Sequence, residues 1–81
     1  MTGPKRLGRA RRVAVATGRR GAPAAVRGVE VDSILEEWVV EDRWWTDRPV
    51  RRRYFEIVLV DGRCSEVFFD MVGHEWHSQR D

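Results

Sequence analysis

Asp61-Gly62 stands between two runs of apolar, β-branched and aromatic residues, 51–60 and 63–70. Asp-Gly in that setting is the strongest short-range hairpin signal a sequence carries, because both residues tolerate the positive φ that tight reversals need. Residues 51–70 are therefore predicted to form an antiparallel hairpin. A two-residue turn pairs Phe55 with Phe68. A three-residue turn ending in a G1 bulge pairs Phe55 with Val67. The residues fit both.

The rest of the chain must pack against that hairpin, and 81 residues allow one domain with a thin core. Val13 and Val15 share one face of an extended segment over 11–17. Gly18-Arg19-Arg20-Gly21 reads as a loop, and residues 22–27 return from it, with Pro23 confining the return to an edge or a strand start. In 29–41, Val29 and Val31 alternate with acids, whereas Ile34, Trp38 and Val40 have the opposite parity. A β-bulge near Asp32-Ser33 puts both sets on one face. The rival reading is a short helix capped by Ser33. The β-prone Trp38-Val39-Val40 favours a strand. Residues 42–49 read as a polar loop carrying Trp44 and Trp45. Gly73 marks a further turn, and residues 74–79 form a last short strand with Trp76 inward. The expectation is a mostly β domain of five or six short antiparallel strands over 11–81, as a bent sheet or small barrel, behind a flexible basic tail at 1–10.

Charge is distributed unevenly along this frame. Residues 1–27 hold Lys5, Arg6, Arg9, Arg11, Arg12, Arg19, Arg20 and Arg27 and no acid. The remainder holds the other seven basic residues and all 13 acids, a balance of −6. A basic arm of this kind suits a polyanion, or an acidic body to lie against. Of the 15 basic residues 14 are Arg, which matches a G+C-rich bacterial genome as well as a choice of guanidinium for phosphate.

Few reaction classes find their residues here. Cys64 is the single cysteine, so no intrachain disulfide forms, and a reducing cytoplasm is expected. Cys64, His74 and His77 are the only soft ligands and lack zinc-site spacing. Ser33, Ser65 and Ser78 sit in no nucleophile elbow, and adjacent carboxylates such as Glu36-Glu37 point apart on a strand. Neither a membrane span nor a secretory leader is legible. No catalytic residue, metal, cofactor or small-molecule substrate is expected, and an enzyme with an unrecognised site is the weakest reading.

Two features point to binding instead. Arg51-Arg52-Arg53-Tyr54-Phe55 mixes guanidinium and aromatic groups, as single-stranded nucleic-acid sites do. With Lys5, Arg6, Arg9, Arg11 and Arg12, residues Arg51, Arg52, Arg53 and Tyr54 make up a candidate nucleic-acid surface. Against this, the arginines can pair with Glu36, Glu37, Glu41 and Asp42 on a neighbouring strand. Trp44 and Trp45 are adjacent and cannot both turn inward from a strand, so one is expected to be exposed as an anchor for a protein partner.

The run from Leu35 through Trp44-Trp45, Arg48-Pro49-Val50 and Arg51-Arg52-Arg53-Tyr54-Phe55, then Asp61-Gly62-Arg63, Trp76 and Gln79-Arg80, resembles a small bacterial domain family of unknown function. That family is similar to the C-terminal segment of catalytically inactive Y-family polymerase-like proteins of a damage-induced mutagenesis system. The resemblance covers about 29–80. It implies a non-enzymatic interaction module accessory to DNA damage tolerance or translesion synthesis, with a polymerase-like mutagenesis protein as partner. The chain departs from the family at Glu75-Trp76-His77, where Arg-Trp-Tyr is expected, and at Phe68-Phe69-Asp70, where Phe-Arg-Asp is expected. Each change removes a positive charge from the last hairpin, which weighs against nucleic acid binding there.

Overall fold

The computed structural model describes residues 10–43 and 45–79. It contains seven antiparallel strands: β1 (Arg11–Arg12), β2 (Val15–Thr17), β3 (Pro23–Val26), β4 (Val29–Asp42), β5 (Val50–Leu59), β6 (Cys64–Asp70) and β7 (Glu75–Ser78). They form one curled sheet in the order β1-β7-β6-β5-β4-β3-β2. The count is seven because the segment 11–17, read as one strand, divides between two partners. β1 pairs with β7 and β2 with β3. At the switch Val13 N–H donates to the Trp76 carbonyl and Arg27 N–H donates to the Ala14 carbonyl. One short piece of chain thus joins both edges of the sheet, a device that satisfies edge groups otherwise left open.

The central hairpin forms as expected and its register is the three-residue one. Phe55 pairs with Val67 and Val58 with Cys64. Gly62 N–H donates to the Leu59 carbonyl and Leu59 N–H to the Arg63 carbonyl, both at 2.8 Å. Gly62 has φ +90°, the conformation that a G1 bulge reserves for glycine. The Arg63 amide and guanidinium both donate to the Asp61 carboxylate, and they hold it below the usual carboxylate range even though some desolvation opposes them. A second tight turn, Arg27-Gly28, joins β3 to β4 through the Val26–Val29 pair. Both of its residues have positive φ. This turn is not among those expected from the sequence, although a glycine between two alternating runs is its signal.

Residues 29–42 are one strand, not a helix, and carry two bulges instead of one. The first, at Asp32, brings Ile34 onto the face of Val31, opposite Ile57. The second, at Leu35, reverses the parity again, so Trp38 and Val40 point to the other face. The inner face carries the core: Val26, Phe55, Ile57, Leu59 and Val67, with Val13, Val15, Val29, Val31 and Trp76 packed against them. Burying each of the large side chains contributes about 1.5–3 kcal/mol. Trp76 lies at 5.7 Å from the Phe55 ring and 5.2 Å from Phe69, the inward position expected of it.

Candidate functional site

Strand β4 is much longer than its partner on one side. β3 pairs with it only at Val29 and Glu30, whereas β5 pairs with it from Val31 to Asp42. Every residue of β4 from Asp32 onward is consequently exposed, while the facing residues of β5 are mostly half-buried or buried, because β6 covers their far side. The distal parts of β4 and β5 form an arm. Most of the exposed large apolar residues lie on it: Ile34, Leu35, Trp38, Val39, Val40 and, in the loop at its tip, Trp45.

The tip is fixed by local polar bonds. Arg43 N–H donates to Asp42 Oδ1 at 2.7 Å. Thr46 N–H and Oγ1 both donate to the Arg43 carbonyl, and Arg48 N–H donates to Thr46 Oγ1. Arg43 takes positive φ to close this reversal. Trp45 rides on the turn with 66% of its surface exposed. Trp44 lies outside the described residues.

The arginine stretch is engaged within the domain. On the inner face Arg51 bonds Glu41 at 3.1 Å. Arg53 bonds Glu37 at 2.7 Å, donates to the Arg20 carbonyl at 2.9 Å, and lies 4.9 Å from the Phe55 centroid. Arg53 therefore ties the arm to the 18–21 loop. On the outer face Arg52 covers Phe68 at 4.6 Å and donates to the Tyr54 hydroxyl. Two of the four glutamate and aspartate partners named from the sequence, Glu37 and Glu41, hold arginines.

Tyr54 is likewise occupied. It sits in a row of directly paired residues, Trp38–Tyr54–Phe68–His77, that crosses four strands. The successive ring centroids lie 5.3, 4.9 and 5.1 Å apart. Phe68 in this row is 1% exposed although it points away from the main core. The sheet thus has a second apolar cluster on its outer face. No single stretch of sequence shows it, since its four rings come from four strands. Beside it runs a row of like charges, Glu36 opposite Glu56 opposite Glu66, an arrangement that costs stability in a sheet.

Of the basic arm, Lys5, Arg6 and Arg9 lie outside the described residues. Arg11 and Arg12 form β1, and Arg12 approaches Glu75 at 3.7 Å from an exposed position. Cys64 is exposed at the start of β6. His74 lies in the β6–β7 turn and His77 in β7. His77 Nδ1 is buried with no hydrogen-bond partner. Among the described residues no group of three or more His, Cys, Asp and Glu is placed to hold a metal. A shallow open depression of about 150 Å³ is lined by Glu56, Cys64, Ser65 and Glu66, smaller than the ~300–1,000 Å³ typical of ligand sites. None of the helices among the described residues is long and apolar enough to cross a membrane.

Comparison with family models, curated proteins and solved structures found no match.

Proposed function

We propose that this chain is a non-enzymatic interaction module of the bacterial cytoplasm, accessory to DNA damage tolerance, that docks a protein partner through the tip of the β4–β5 arm. The observation that carries the docking surface is Trp45. It is 66% exposed on a turn already held by Thr46, so little ordering entropy opposes binding there. Large, amphipathic indoles presented in this way are the side chains that most often anchor protein interfaces. The biology rests on the resemblance of residues 29–80, and the partner it implies is a polymerase-like mutagenesis protein.

Trp45→Ala is expected to reduce capture of that partner from DNA-damaged cells by about tenfold or more, while Tm changes by no more than about 2 °C. Capture should survive nuclease treatment. Equal capture by the variant and the wild type would remove Trp45 from the interface.

Direct nucleic-acid binding is the second reading. It is favoured by Arg11, Arg19 and Arg20, all exposed, more than by Arg12, Arg27, Arg51, Arg52 and Arg53, whose guanidinium groups have partners within the domain. Capture that disappears after nuclease treatment selects this reading over the first.

A further inference from the structure

The arm has an edge as well as a tip. On the side of β4 away from β5, no strand among the described residues pairs with 36–42. These residues run in unbroken register with β5, past both bulges. Half of their backbone N–H and C=O groups therefore point away from β5, the arrangement that templates addition of another strand. Proteins usually blunt such an edge with charged side chains, inward-pointing charges, proline, a bulge or a covering loop. This stretch has no proline and its bulges lie before it; its one such device is its four acids, Glu37 and Glu41 among them on the inner face, which repel an acidic strand and not a basic one.

The side chains specify the occupant. Residues 36–42 read Glu-Glu-Trp-Val-Val-Glu-Asp, two acids on each side of an apolar triplet. From Val29 to Asp42 there are six acids and no basic residue. A second copy of β4 fits poorly. Antiparallel pairing about Val39 sets Glu36 against Asp42 and Glu37 against Glu41, and like charges directly opposite are destabilising. A segment with basic residues around a short apolar centre is complementary at each position. Arg53 and Arg51 already hold Glu37 and Glu41 from the β5 side, but a carboxylate accepts from more than one donor.

We propose that the open edge of β4 across 36–42 takes a basic, extended segment of a partner protein as an added strand. This deepens the interaction-module reading and rests on it: the arm would hold its partner by backbone pairing along the edge and by Trp45 at the tip. Specificity comes from the acid–apolar–acid pattern, and the salt dependence of binding comes from Glu36 and Asp42 on the outer face.

The test uses the full ¹⁵N-labelled chain and a capped peptide, Lys-Arg-Val-Thr-Val-Arg-Lys, with a charge-reversed Glu-containing peptide as control. At saturation, alternate amides within 36–42 should exchange about tenfold more slowly or better, the signature of new backbone bonds. The control peptide should bind at least about tenfold more weakly. The Glu36→Lys variant should weaken binding by about threefold or more while keeping its fold, since it also removes a like-charge contact with Glu56 and leaves the Asp42–Arg43 bond at the tip intact. Absence of binding overturns the proposal, as does binding that leaves the β4 amides unchanged or is as tight in the Glu36→Lys variant. Protection of β4 without peptide, growing with protein concentration, overturns it in favour of a second copy. The Trp45→Ala capture experiment is independent of all these outcomes, so failure of strand addition and failure of the interaction-module reading are distinguishable.

Discussion

Phe68→Ala tests whether the outer aromatic row is a second core or a decorated surface. Phe68 is 1% exposed, with Tyr54 at 4.9 Å, His77 at 5.1 Å and the Arg52 guanidinium at 4.6 Å. Removing a buried Phe side chain costs about 3–5 kcal/mol in transfer and cavity terms. The rings around it lie on an outer face and can relax into part of the space, so the low end, about 3 kcal/mol, is expected. A domain of this size has roughly 4–12 kcal/mol in total, and each kcal/mol moves Tm by about 4–8 °C. Thermal and urea unfolding followed by circular dichroism should therefore show Tm lower by at least about 12 °C, with the urea m-value unchanged. Combining Phe68→Ala with Arg52→Ala should give a coupling energy of about 0.5–1 kcal/mol for the cation over the ring. A loss below about 1 kcal/mol for Phe68→Ala would refute the second core and leave the inner cluster alone in holding the sheet.

Two further substitutions probe the turns. Gly62→Val should destabilise the domain by about 1–3 kcal/mol, because a β-branched residue is strained at φ +90°; an unchanged Tm would contradict the G1 geometry. Asp70 caps the β6–β7 turn, its Oδ1 accepting from the Val72 and Gly73 amides. Burial pushes its carboxyl up, but those two amides, with Arg52 and His77, outweigh burial and leave its pKa below the usual value. Asp70→Ala should cost about 1–2 kcal/mol near neutral pH, as loss of a side-chain cap does. A depressed carboxylate pKa adds stability that is present above the unfolded value, near 3.9, and is lost as pH falls through the folded one. The difference between wild type and variant should therefore shrink below about pH 4, and a difference that persists unchanged through that range would contradict the assignment.

What the sequence determined by itself was local. Period-two alternation and the Asp61-Gly62 turn placed β5 and β6, because a strand's parity and a positive-φ turn are properties of neighbouring residues. That one of Trp44 and Trp45 would be exposed was legible too, since adjacent strand residues cannot both face inward, but that Trp45 is exposed was decided by the turn held through Thr46. Register was not local: Asp-Gly serves a two- or three-residue loop, and only the pairing of Phe55 with Val67 across the folded hairpin distinguished them. The second bulge, at Leu35, has no side-chain signature, yet it decides that Trp38 stacks on Tyr54 at the outer face. The arginine stretch reads as a nucleic-acid motif in one dimension. In three, Glu37, Glu41, Phe68 and the Arg20 carbonyl converge on it from other segments, and a charge's role is set by what stands within a few ångströms of it. The open edge of β4 belongs to the tertiary structure for the same reason: a strand is an edge only by virtue of where its neighbours stop.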